Sequence, residues 1–282
     1  MSRKPSVVYP NEYPVNKTEA PLWLAAKYGR VLEVIRLIAS KKNIEERGGY
    51  MHCSPLAIAS LNDHGSVVSV LLEHHANLLS IDSYFSETPL HCAVRHYNSR
   101  VKPVSQTNDQ IIDLGTSTNS GVVPVTTSSI LIQAMVMKGL TLDAVDECGR
   151  TALHLAVADR NESVVRRLLD NGADISLRDV SGSTVLKHSI LENDHLFVKL
   201  LVEYGANINE IYNYGRLPLH LCVQHRFEAL SKLLILHGAD IEVLDFGGSS
   251  ALALASHYGW VNGIEMIRLE IAQRAKLKIE SK

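Results

Sequence analysis

Thirteen histidines and four cysteines are the residues of this chain most able to do chemistry, and their spacing decides which chemistry is open to them. Three of the histidines share one local context: Thr88 to His91 reads TPLH, Thr151 to His154 reads TALH, and Leu217 to His220 reads LPLH. A zinc ion needs nitrogen donors at about 2 Å. Recurrences of one helical motif stack about 10 Å apart, so these three rings cannot readily share an ion. Cys53, Cys92, Cys148 and Cys222 lie far apart with no CxxC pair, a pattern of reduced thiols rather than of a disulfide framework or a zinc site. No HExxH, GxSxG or phosphate-binding loop occurs. The expectation is a chain with no catalytic residue, no metal and no cofactor.

The totals narrow the class of protein that must position these residues. In 282 residues, 46% are apolar and 21% charged, which describes a chain able to bury a core. Lys and Arg number 28 against 30 Asp and Glu, a formal charge of −2, so there is no basic excess of the kind that neutralises a phosphate backbone. Nucleic acid is not the expected partner. No apolar run approaches the roughly 20 residues of a membrane span, and the opening MSRKPSVVYPNEYPVNKT lacks the apolar core of a secretory signal. The expected setting is cytosolic or nucleocytoplasmic, with the protein a monomer.

Self-similarity is the main signal. Four segments align without a gap: DECGRTALHLAVADRNESVVRRLLDNGADIS from Asp146, DVSGSTVLKHSILENDHLFVKLLVEYGANIN from Asp179, YNYGRLPLHLCVQHRFEALSKLLILHGADIE from Tyr212 and DFGGSSALALASHYGWVNGIEMIRLE from Asp245. Leu153, Leu186, Leu219 and Leu252 are 33 residues apart, as are Gly172, Gly205 and Gly238. Each unit spells out helix starts and stops. Thr151 and Thr184 can cap a first helix, and Pro89 and Pro218 stand in a first turn, where no N–H partner is lost. Val164, Val165, Leu168 and Leu169 form one apolar stripe of a second helix, repeated at Phe197, Val198, Leu201 and Val202. The glycines then supply a left-handed stop. Weaker units are anchored on Leu22 and Leu56. The first lacks a glycine turn and reads as an N-terminal cap, while Arg268, standing where Leu169, Val202 and Ile235 precede it, marks a polar C-terminal cap.

These motifs resemble the ankyrin-repeat family, whose unit is a β-turn finger followed by two antiparallel helices. The resemblance covers about Thr18 to Glu270 and implies an all-α ankyrin-repeat solenoid of about seven repeats. The expected division is an N-terminal extension at 1–17, repeats at about 18–46, 47–80, 81–145, 146–178, 179–211, 212–244 and 245–272, and a polar tail at 273–282. It also implies that the recurring histidine ties adjacent fingers through their backbone. Cys92 and Cys222 fall on core-facing positions, and Cys148 at an exposed finger tip. Asn209 stands where family members can carry a hydroxylated asparagine; its plainer role is a turn residue.

The third repeat, anchored on Leu90, is interrupted. Leu90 to Leu153 spans 63 residues, 30 more than one period, and SILIQAMVMKGL is its delayed second helix. The insertion, Arg100 to Ser129, has 16 of its 30 residues drawn from Ser, Thr, Gly, Pro and Asn, and reads as a long mobile loop leaving the turn between the helices.

By resemblance, the function is non-enzymatic protein–protein interaction, as a scaffold or adaptor, through the concave surface of finger tips and first helices. Aromatic residues and Arg, which dominate binding hot spots, concentrate there in the last units, at Tyr214, Arg216, His225, Phe246, His257 and Tyr258, with Tyr212 joining them. Other readings are a substrate-recognition subunit of a ubiquitin ligase, for which too few residues follow the last repeat to form a SOCS or F-box, and a host-directed effector.

Overall fold

A computed structural model of the protein describes residues 20–49, 51–100 and 126–280. Among them the chain forms seven helix pairs: α1 (Pro21–Lys27) with α2 (Val31–Ala39), α3 (Pro55–Leu61) with α4 (Gly65–Glu73), α5 (Pro89–Arg100) with α6 (Thr127–Met137), α7 (Ala152–Ala158) with α8 (Glu162–Asp170), α9 (Val185–Leu191) with α10 (His195–Glu203), α11 (Pro218–Gln224) with α12 (Glu228–Leu236), and α13 (Ala251–His257) with α14 (Val261–Glu280). The first helices stack in sequence order into one row. The second helices lie behind them, with α2, α4, α6 and α8 packed in series and α10, α12 and α14 likewise. No strand is present among the described residues, only an isolated bridge between Gly48 and Cys53.

Local chemistry sets the helix ends. The Thr151 Oγ1 accepts the His154 N–H at 3.4 Å, and Ser54, Thr184 and Ser250 cap their helices in the same way. Asn161 and Asp194 cap the second helices α8 and α10. At the far end Gly172 takes φ 84°, a left-handed conformation nearly free of cost only for glycine, and the Ala173 N–H reaches back to the Leu168 carbonyl at 3.0 Å. The anchor leucines Leu22, Leu56, Leu90, Leu153, Leu186 and Leu219 are all buried, each contributing about 2 kcal/mol of apolar transfer. Leu252, in the last described pair, is only partly buried.

Two boundaries differ from the sequence reading. The helix α6 begins at Thr127, so Thr127 to Ser129 are its first turn rather than part of the inserted segment, and Arg100 closes α5. Thr126 caps α6, and the Thr127 hydroxyl donates to Asp63 Oδ1 at 2.9 Å in the preceding helix turn. Leu131, Ile132 and Met135 are buried against α4, α5 and α8, at the positions expected for the delayed second helix. The mobile-loop expectation concerns residues 101–125 and lies outside the described residues, as does the N-terminal extension.

The polar tail expected at 273–282 continues the last helix through Glu280, as one continuous α14. The cause is local. Ile271 stands 33 residues after Gly238, where a left-handed glycine would have stopped the helix, and AQRAKLKIE contains neither Gly nor Pro. The extension also steadies its neighbour. The Arg274 guanidinium donates to the Ala239 and Ile235 carbonyls at 3.0 and 3.2 Å, satisfying the C-terminal end of α12.

Candidate protein-binding surface

The fingers that precede α5, α7, α9 and α13 are each built on one aspartate. In the fourth unit Asp146 Oδ1 accepts the N–H groups of Cys148 and Arg150, and the Asp146 N–H donates to the Arg150 carbonyl at 3.0 Å, closing the turn. Asp179 and Asp245 repeat this. Adjacent fingers are joined edge to edge. The Glu147 N–H donates to the Phe85 carbonyl, Val180 N–H to Cys148 and Phe246 N–H to Tyr214, each at 2.9 Å. Backbone bonds thus join the third finger to the fourth, the fourth to the fifth and the sixth to the seventh, while the fifth and sixth are bridged by the Arg178 guanidinium, which donates to the Ile211 carbonyl at 3.1 Å.

Histidine adds to these joints. His91 Nδ1 accepts the Thr88 N–H at 3.2 Å while Nε2 faces the Arg150 carbonyl at 3.0 Å; His154 makes the same pair with Thr151 and with Ser183 at 3.3 Å. An Nδ1 that accepts places the proton on Nε2, which donates to the next finger. His220 accepts the Leu217 N–H. Burial holds all three imidazoles below their usual range; His91 and His154 are neutral ties between fingers, whereas His220 bonds only within its own turn.

The predicted patch residues divide into two groups. Tyr214 and Phe246 project from the tips, 77% and 82% exposed. Tyr214 has φ 63°, a left-handed conformation that is strained for a bulky residue, at the tip of the sixth finger. His225 and His257 are exposed at the ends of α11 and α13, His225 stacked on Phe227 with centroids 5.3 Å apart and His257 edge-on to the half-buried Tyr258 at 5.1 Å. Arg216, in contrast, is half-buried and turned into the array: it bonds Gln224, and its Nε lies 3.7 Å from Asp245 Oδ2. It serves as a tie between the sixth and seventh fingers.

Tyr212, expected with the exposed group, is buried. It takes the finger aspartate's place and keeps that residue's backbone bond to Arg216 at 2.8 Å, while its ring turns inward beneath Lys187, whose Nζ stands 5.3 Å from the ring centroid. Cys148 is half-buried rather than exposed, because the fifth finger lies against it through Val180. Asn209 is exposed, and its Oδ1 accepts the Asp240 N–H at 2.8 Å, joining consecutive loops.

Three further apolar residues belong to the same edge. Val180 is 76% exposed at the fifth tip, and Leu191 is exposed at the end of α9. Tyr84, 60% exposed on the third finger, stands edge-on to Phe85 at 4.7 Å. A gap-free alignment of the repeats misses Tyr84 because Asp82 to Thr88 is one residue longer than Asp146 to Thr151.

Comparison with known proteins agrees with this geometry. The family described as Ankyrin repeats (3 copies) matches residues 22–104, 125–212 and 178–245. Rabankyrin-5 of Mus musculus and Rabankyrin-5 of Homo sapiens are each 26% identical over 180 residues, 62% of this chain; the chain spans about 15% of the length of these curated relatives. The solved ankyrin repeat domain of Bcl-3, described as a unique member of the IkappaB protein family, superposes with a TM-score of 0.74 at 24% identity, covering 90% of this chain and 100% of that one. Its likeness is one of fold. On the repeats matched along most of its length, this chain belongs to the ankyrin-repeat family.

Proposed function

We infer that the chain is a non-enzymatic scaffold or adaptor that binds a protein partner along the finger row and the adjoining ends of the first helices. Ankyrin-repeat proteins are typically interaction modules of this kind. The observation that carries the reading is the run of exposed apolar tips, Tyr84, Val180, Tyr214 and Phe246, on a backbone held by bonds between fingers. Large, rigid side chains bury much area at small entropic cost. Tyr214 and Phe246 form the centre, with His225, His257 and Tyr258 on the helix side and Arg216 holding the two fingers together. Among the described residues no helix is long and apolar enough to cross a membrane.

A photo-crosslinking residue placed at Tyr214, at Phe246 or, as a control, at Arg166 on α8 tests this. Discrete adducts from the first two positions, absent from the third and lost when the other tip residue is changed to alanine, are expected. Adducts only from Arg166 would place the interaction on the second-helix face and refute the reading.

A further inference from the structure

Each finger aspartate uses its two oxygens differently, and the third finger breaks the rule. In Asp82, Asp146, Asp179 and Asp245, Oδ1 accepts backbone N–H groups of its own turn. Oδ2 then meets a cation or imidazole: Arg150 at 2.7 Å from Asp146, His188 at 2.8 Å from Asp179, and Arg216 at 3.7 Å from Asp245. Asp82 Oδ2 is buried and accepts no hydrogen bond from the described residues. The residue in register with Arg150 is Glu87, whose carbonyl receives the Asp82 N–H at 3.0 Å as the Arg150 carbonyl receives that of Asp146. A second carboxylate therefore stands where the fourth finger has a guanidinium.

The third member is Cys92, one turn into α5. Asp82, Glu87 and Cys92 are each at most 2% exposed, and one donor atom from each lies within 4.8 Å of the other two. Arg95 ion-pairs with Glu87 and also lies 3.9 Å from Asp146 Oδ2, which Arg150 already holds. Its charge is shared between two acids, and Asp82 Oδ2 still accepts no hydrogen bond from the described residues. Buried carboxylates short of partners are costly, and a structure that retains two carboxylates beside a thiol has the makings of a cation site.

We propose that Asp82, Glu87 and Cys92 bind a zinc-type divalent cation, which stands in the third finger where arginine or histidine stands in its neighbours. A thiolate with two carboxylates suits zinc, whereas magnesium and calcium require six or more oxygens. On binding, the Cys92 S–H proton leaves to solvent, a metal–sulfur bond forms, and nothing is oxidised or reduced. The three anionic ligands are then balanced by the divalent ion and Arg95. Donors around a tetrahedral zinc stand about 3.5 Å apart, so the site contracts by at most roughly 1.3 Å on binding. The ion would clamp the third finger to α5.

The test uses the full chain, chelator-treated and reduced, titrated with cobalt and then zinc. A near-ultraviolet thiolate-to-cobalt charge-transfer band is expected, saturating at one equivalent and displaced by zinc, along with a zinc-dependent rise in melting temperature. Cys92→Ser should abolish the band and weaken zinc by more than the roughly 100-fold that an outer-shell change can cost. Glu87→Arg rebuilds the fourth finger's pattern of Arg150 with Asp146; it should fold without metal and lose the zinc response. The proposal is overturned by the lack of a band in the wild type, by a band that persists in Cys92→Ser, or by a zinc shift unchanged in Glu87→Arg.

Discussion

Gly215 allows the joint between the sixth and seventh fingers to be tested against a matched control. Its φ is 71°, and a Cβ added there would stand 2.4 Å from Phe246 Cδ1 and 2.8 Å from the Phe246 backbone nitrogen. The ring can swing aside, but the nitrogen cannot, because its N–H is bonded to the Tyr214 carbonyl at 2.9 Å. Gly248 has φ 76° and nothing within 4 Å of such a Cβ. Gly248→Ala therefore incurs only left-handed strain, about 1–2 kcal/mol. Gly215→Ala adds the loss of a backbone bond between fingers, about 1 kcal/mol, and some steric displacement, for a total of roughly 2–4 kcal/mol. Urea unfolding followed by circular dichroism measures both, and hydrogen exchange at the Phe246 amide reports the joint itself, which matters because repeat arrays need not unfold in one step. Equal costs within about 0.5 kcal/mol, with an unchanged Phe246 amide, would refute the account of the finger row as a bonded edge.

Tyr214→Gly should relieve the left-handed strain and raise stability by about 0.5–1 kcal/mol in the same unfolding assay while losing the crosslink through Phe246, a trade expected where strain serves binding. Arg274→Ala should lower stability by about 1–2 kcal/mol, since it removes the donors to the Ile235 carbonyl of α12 and to the Ala239 carbonyl just beyond it; exchange protection at the end of α12 is the direct readout. Burial depresses the imidazoles of His154 and His220 below their usual value of 6.5. A depressed imidazole contributes stability that is present above about pH 6.5 and lost as pH falls through the folded pKa, so melting temperature should fall between pH 7 and pH 5. An NMR titration placing either ring at or above 6.5 would contradict this.

Much of the molecule is legible in the order of its residues. The helix pairs, their caps at Thr151 and Thr184 and the delayed α6 follow from patterns spanning at most one repeat, and such patterns act locally. The exposed tips Tyr214 and Phe246 are found because the 33-residue register assigns each position a direction. Register fails where the neighbouring repeat intervenes. Tyr212 is at a finger position yet turns inward, and Arg216 is held by Asp245 and Gln224 instead of facing a partner.

By itself, the sequence determined the repeat, its period, the interruption of the third unit and the absence of a glycine stop at Ile271, because helix propensity, capping and apolar periodicity are written into consecutive residues. Only the tertiary structure decided that Arg274 caps another helix, that Tyr84 joins the apolar edge, and that Asp82, Glu87 and Cys92 converge with the Asp82 Oδ2 accepting no hydrogen bond from the described residues. Those outcomes depend on how a side chain meets a finger or helix outside its own turn, and burial then sets the energetic consequence of each meeting.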